Sequence, residues 1–243
     1  PSHHSINFDE TVGRLNEVLQ KQKRTTRQEQ NDYAEFITKT FNPLQNAEVP
    51  NFLLAEAGTG VGKTLGYLSS STAWAEKNEA TVWISTYTRN LQRQIDTELQ
   101  DFYKDNATKN LHVVTRKGRE NYLCLLNLED ATHSPSIVSS AKNATALGLI
   151  LRWIAATEDG DFAGKDFPGW LSGIIGFKNL YSFADHRGEC VYSACPHFKR
   201  CFIEKSIRRA ERADIVIANH ALVMNQVAIN SGEEGGLPSH YIF

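Results

Sequence analysis

Two groups of residues have the types and spacing to do chemistry. The first is Ala57-Gly-Thr-Gly-Val-Gly-Lys-Thr64, a phosphate-binding loop pattern with Ala57 where the simplest form has glycine. Phosphate oxygens need many donors close together. Gly58, Gly60 and Gly62 let the backbone N–H groups of Ala57, Thr59, Val61 and their neighbours turn inward without obstruction. In this pattern Lys63 reaches the β and γ phosphates of a nucleotide such as ATP, and the Thr64 hydroxyl joins the coordination of Mg²⁺. The motif alone does not choose among kinase, GTPase, transporter ATPase and other phosphate-loop classes.

The second group is Cys190, Cys195 and Cys201, spaced C-x4-C-x5-C, with Cys124 the one further cysteine. Four thiolates suit one metal centre. A [4Fe–4S] cluster takes four cysteines, whereas zinc more often draws on paired C-x2–4-C knuckles, so the wider spacing favours iron–sulfur. Zinc, or thiols that bind nothing, remain the alternatives. His197 lies inside the cysteine window and reads as a surface histidine, since four thiolates already complete a site.

The elements that must position these groups follow from periodicity. Apolar residues at Phe8, Val12, Leu15 and Leu19 predict a helix, and Gln28 to Phe41 predicts a second, ended by Asn42-Pro43. The run from Asn51 to Ala55 predicts a strand leading into the glycine-rich turn, with a helix over Thr64 to Glu76. Ala80–Ser85, Leu111–Thr115, Ile215–Ala218 and Tyr241–Phe243 predict further strands, with a helix over Asn90 to Phe102. Strands alternating with helices imply a parallel α/β sheet. From Arg116 to about Ser206 that rhythm breaks: a helix is expected over Ser139 to Thr157, a glycine-rich loop over Asp159 to Gly176, and all four cysteines fall here. The expected organisation is therefore an α/β domain over residues 1–115 and 207–243 with an insertion over 116–206.

Bulk properties set limits. At 243 residues there is room for one large domain with an insertion, and 41% hydrophobic and 22% charged residues are ordinary globular values. The N-terminus lacks the order of a secretion signal and no run of eighteen apolar residues exists, so a soluble, cytoplasmic protein without a membrane partner is expected. A net charge of −2 argues against a wholly basic nucleic-acid binder. Local basic runs occur at Lys21–Arg27 and at Lys199–Arg212, the latter with six Lys or Arg against two Glu.

The phosphate loop with Glu56 before it, together with the cysteine spacing, resembles the DinG/XPD-like iron–sulfur helicases of superfamily 2, and the DinG branch in particular. Arg27-Gln-Glu-Gln30 is similar to the family's element in which the glutamine reads adenine. Ser85-Thr-Tyr-Thr-Arg-Asn-Leu-Gln92 is similar to its motif Ia, which touches the DNA backbone. Arg116 to Cys124 resembles the segment delivering the first cluster cysteine, and Ala213 to Leu222 the strand and turn after the cluster.

The resemblance implies a RecA-like parallel sheet with a mainly helical cysteine-bearing insertion. It also implies ATP bound through Arg27, Gln30 and Ala57–Thr64, and a [4Fe–4S] cluster on Cys124, Cys190, Cys195 and Cys201. A single-stranded DNA path would run past Thr86, Tyr87, Arg89, Asn90, Tyr122, Asn219 and His220, with Tyr87 and Tyr122 offered to bases. The activity implied is 5′ to 3′ unwinding of forked duplex in the nucleoid, with the cluster domain as a wedge. In the family a D-E-A-H box follows a strand like Tyr241–Phe243 and a second motor domain comes later; neither is in this sequence, so the chain alone is expected not to turn over ATP. The competing readings are a cysteine-stapled DNA-binding module without a motor and, less consistent with these segments, a small-molecule kinase.

Overall fold

Asn7 starts the first helix. Its side chain accepts the Glu10 N–H at 2.8 Å while the Glu10 carboxylate accepts the Asn7 N–H at 2.7 Å, a reciprocal cap that satisfies two donors otherwise orphaned at a helix start. This helix, α1 (Phe8–Lys21), lies with α2 (Gln28–Thr38) and α3 (Lys63–Asn78) around Leu15, Val18, Leu19, Ala34 and Leu65. The structure, a computed structural model, describes residues 4–43, 51–134, 141–186, 188–230 and 240–243. The chain forms two units, one of residues 1–116 with 209–243 and one of 117–208.

In the first unit α3 is buried on nearly every side, yet it carries Ser69, Ser71 and Thr72. Each hydroxyl donates to the carbonyl four residues earlier, at 2.6–2.7 Å, so none is left unpaired in the interior. After it come β1 (Val82–Thr86), α4 (Arg89–Glu98), α5 (Asn106–His112), β2 (Val113–Thr115), β3 (Ile215–Asn219), α11 (His220–Asn230) and β4 (His240–Ile242). The sheet order is β2-β3-β1-β4 and every pairing is parallel. Alternate residues feed two cores: Val82, Ile84, Ile215 and Ile217 join Leu68, Trp74 and Ile95 on one face, and Trp83, Val216 and Ala218 join Val114 and Val223 on the other. A sheet buried on both faces is what continuous apolar runs in the strands require. This is a RecA-like α/β arrangement.

Ile217 is fully buried in β3 between β2 and β1. Ile217→Ala is expected to lower stability by about 2–5 kcal/mol, the lost transfer energy plus a cavity the flanking strands cannot close. Equilibrium denaturation measures it; a loss under 1 kcal/mol would contradict this packing.

The second unit is mainly helical: α6 (Leu125–His133), α7 (Ala141–Ile154), α8 (Gly169–Ile175), α9 (Phe177–Ser182) and most of α10 (Phe202–Ala210). Its own core contains Leu123, Leu128, Ile150, Trp153, Leu171, Ile175 and Phe183. Among the described residues no helix is long and apolar enough to cross a membrane.

Three expectations about elements are corrected. Asn51 to Ala55 is not a strand. Phe52 and Leu54 are 87% and 85% exposed, and the run has no place in the sheet, whose β4 edge offers only three residues of ladder. The glycine-rich stretch from Asp159 contains α8, because Leu171 and Ile175, four apart, find a core to bury against. Residues before β2 form α5, started by Asp105, whose carboxylate accepts the Thr108 N–H at 2.7 Å.

Candidate functional site

The phosphate-loop residues sit at the start of α3. Gly60 and Gly62 have φ of +83° and +89°, and Gly62 is the residue before the helix. Its left-handed backbone makes glycine required at Gly62, and a Cβ there would also displace the Gln30 amide, whose Cδ would lie 2.8 Å away. Buried Gln30 donates through Nε2 to the Gly62 carbonyl at 3.2 Å, and Arg27 donates through Nη1 to the Gly60 carbonyl at 3.1 Å. Lys63 turns back over the loop, its ammonium donating to the Ala57 and Gly58 carbonyls at 2.7 and 2.9 Å.

Residues from two sequence segments some thirty positions apart are thus brought to one loop. The carbonyls of Ala57, Gly58, Gly60 and Gly62 are answered by the Lys63, Arg27 and Gln30 side chains. The free N–H groups and positive end of α3 favour a phosphate there. Thr64 hydrogen-bonds with the Tyr67 hydroxyl, whose ionisation is pushed up chiefly by burial.

At the carboxyl ends of the strands, Thr86 and Asn219 are register partners, so Tyr87 and His220 emerge side by side. Parallel sheets bind ligands at this edge. Tyr87 is 84% exposed with its ring 6.2 Å from that of His220, and His220 Nδ1 lies 2.5 Å from Ser85 Oγ. Arg89 and Asn90 are exposed at the start of α4. Asn219 accepts the Leu222 N–H at 2.7 Å as the cap of α11.

Two expected DNA contacts are corrected. Thr86 is buried and donates to the Ala218 carbonyl across the sheet. Tyr122 is 3% exposed, its hydroxyl accepting the Lys117 N–H at 3.2 Å. In this structure packing covers both side chains, so neither is offered to a base or phosphate.

The second unit brings the cysteines together. Leu123 donates to the Gly160 carbonyl at 2.9 Å and Cys124 to that of Phe183 at 2.8 Å, fixing Cys124 immediately before α6. Burial pushes the Cys124 thiol up from its usual range, while the Asn127 and Leu126 N–H groups act the other way. Cys190, Cys195 and Cys201 lie on a segment of two short 3₁₀ turns, Tyr192–Ala194 and Phe198–Arg200. None of the four is disulfide-bonded, and all four line one cleft of about 490 Å³, including solvent at its mouth, with Arg119, Asp185 and His197.

A single tetrahedral ion would draw sulfur ligands to about 2.3 Å. Among the described residues no three Cys, His, Asp or Glu side chains converge in that way. Four thiols lining one cleft are the donor set that a [4Fe–4S] cluster requires. Arg119 supports the same fit. It pairs through Nε with Asp185 and lies 5.3 Å above the Tyr192 ring, but its Nη2 is buried without a hydrogen-bond partner among the described residues. A guanidinium can only donate, so that nitrogen lacks an acceptor among the described residues.

His197, expected at the surface, is partly covered there. Its side chain is 16% exposed and its Nε2 lies 2.6 Å from Glu129 Oε2. Arg119, Asp185, Glu129 and His197 escape sequence reading because their partnerships span 66 and 68 positions with no motif to announce them.

The fold and the two sites define a phosphate-loop α/β unit joined in one chain to a helical, four-cysteine insertion. No protein-family model matches the chain. It is 30% identical over 185 residues to the ATP-dependent DNA helicase YoaA of Haemophilus influenzae, covering 76% of this chain and 27% of the relative. It is 31% identical over 235 residues to the ATP-dependent helicase DinG of Mycobacterium tuberculosis, covering 89% and 33%. It is 31% identical over 171 residues to a DinG of Bacillus subtilis named as a 3'-5' exonuclease, covering 70% and 18%. By sequence the chain is similar to one segment of DinG-like proteins, spanning about a third or less of the length of the relatives it matches.

Proposed function

We propose that this chain is the nucleotide-binding and cluster-bearing part of an ATP-dependent DNA helicase. The observation that carries the reading is the loop Ala57–Thr64 at the head of α3, with Arg27 and Gln30 fastened to its Gly60 and Gly62 carbonyls. Lys63 and Thr64 serve the triphosphate tail and Mg²⁺. Arg27 and Gln30 hold the loop, and reach adenine when the tail displaces their carbonyl bonds. Tyr87, Arg89, Asn90, Asn219 and His220 serve single-stranded DNA at the strand ends, where Tyr87 supplies an exposed ring for base stacking and Arg89 a phosphate contact.

Cys124, Cys190, Cys195 and Cys201 hold a [4Fe–4S] cluster, which supplies a rigid, redox-active cross-link. Within the helicase the motor moves 5′ to 3′ on single strands and parts forked duplex in the bacterial cytoplasm, at the nucleoid. Hydrolysis needs carboxylates on the metal and an arginine on the γ-phosphate beyond Lys63 and Thr64. The 243 residues alone are therefore expected to bind nucleotide weakly and not to turn it over.

Titration of the chain with a fluorescent ATP analogue and Mg²⁺, with and without oligo(dT), tests the reading. Saturable binding that ADP and ATP compete away, without phosphate release, is expected. Absence of saturable binding both here and in a polypeptide of the relatives' full length would refute it, as would turnover by the 243 residues well above background.

A further inference from the structure

We infer that Ser85 is a positioning residue for DNA: by donating to His220 Nδ1 it holds the imidazole uncharged with its hydrogen on Nε2, and that N–H meets a backbone oxygen of the single strand. The inference rests on the reading of this sheet edge as a DNA path. Parallel pairing of Ser85 with Ala218 and of Thr86 with Asn219 brings Ser85 and His220 to the same end of the sheet, although 135 residues separate them. There Ser85 Oγ lies 2.5 Å from His220 Nδ1.

The direction of that hydrogen bond follows from burial. Ser85 is buried, and its hydroxyl has no other partner among the described residues. A buried hydroxyl hydrogen without an acceptor is disfavoured, so the hydroxyl donates and Nδ1 accepts. An imidazole that accepts at one nitrogen is neutral and carries its single hydrogen on the other. No carboxylate among the described residues pairs with His220 to draw a second proton onto it; its remaining neighbours are the rings of Tyr87 and Phe243, with centroids 6.2 and 6.1 Å away. Because Nδ1 faces the buried strand, Nε2 on the far side of the ring points away from it. Nε2 is not buried and has no hydrogen-bond partner among the described residues, so its N–H is free for a ligand. Beside it Tyr87, 84% exposed, offers a ring to a base. A neutral N–H next to a stacking ring sets the register of a strand through a backbone oxygen and adds no charge to the grip.

The test labels the chain with ¹⁵N at histidine, assigns His220 by its loss in His220→Ala, and reads the tautomer from long-range ¹H–¹⁵N spectra and binding from titration with oligo(dT) and oligo(dA). The wild type is expected to carry its hydrogen on Nε2, and that resonance to move with either strand. Ser85→Ala is expected to mix the two tautomers and to bind about two- to fivefold more weakly, with Ser85→Thr restoring both. His220→Ala is expected to bind both strands about three- to tenfold more weakly, with the same slope of log affinity against log salt. Hydrogen on Nδ1 in the wild type, or a tautomer unmoved by Ser85→Ala, overturns the inference. So does a loss in His220→Ala confined to one base sequence, or a salt slope shallower by about 0.7, which marks a lost positive charge. Should Ser85→Thr fail to fold, the wild-type and Ser85→Ala spectra decide alone. A wild type that shows the expected tautomer and binds neither strand overturns the DNA reading of this edge, and the contact inferred here falls with it.

Discussion

Lys63→Ala is expected to weaken nucleotide binding by about ten- to a hundred-fold, at little cost to the fold. The ammonium sits where the loop closes, donating to the Ala57 and Gly58 carbonyls, and a phosphate oxygen entering the loop would take over those donors. A hydrogen bond from a charged donor contributes about 1.5–3 kcal/mol, and each 1.4 kcal/mol is a tenfold change in dissociation constant. Stability should barely move, because α3 is held by its buried residues from Leu65 to Ala75 and not by its first residue. Calorimetric titration with Mg-ATP, paired with a thermal melt, checks both halves. Equal affinity in wild type and variant would remove the nucleotide site from this loop. A large drop in melting temperature would mean that Lys63 is structural.

That loop was the most legible part of the molecule, and the reason is physical. Glycine at Gly60 and Gly62 answers a backbone need that few other residues can meet, so the residue types themselves record the conformation. The strands β1 and β3 were legible because burial on both faces leaves a run of apolar residues with no alternation to misread. Asn51 to Ala55 is also an apolar run and is no strand, since it lacks the β-branched residues of β1 and β3 and an apolar run says nothing about whether a neighbour is there to pair with it. Tyr122 and His197 failed in opposite directions. A tyrosine with a free-looking hydroxyl was buried against Lys117, and a histidine assigned to the surface is partly covered and paired with the exposed Glu129. Both outcomes depend on contacts between distant segments, which spacing does not encode.

Serine in place of any one of the four cysteines is expected to release the metal group and to free the segment from Cys190 to Cys201, while the helical core stays folded. The asymmetry follows from where the ligands are rooted. Cys124 is fixed to the core: its N–H is bonded to Phe183, and Leu123 and Leu128 on either side belong to the cluster of Ile150, Trp153 and Leu171. Cys190 and Cys195 stand on short 3₁₀ turns with exposed Val191 and Tyr192, Tyr192 holding a positive φ of 48°, whereas Cys201 directly precedes α10, whose Ile203 is buried. Little apolar burial secures such turns, so on the proposed cluster reading metal bonds would fasten them to α6 together with the His197–Glu129 contact. Losing those bonds returns the conformational freedom that ligation had removed. Iron content in Cys195→Ser should fall to background, and limited proteolysis should cut between Cys190 and Cys201 at least ten-fold faster, with far-ultraviolet circular dichroism nearly unchanged. Full iron retention in every single variant would show that the four thiols do not share one group. Wholesale loss of helix would show instead that the core of the second unit depends on the metal, against the packing around Ile150 and Leu171.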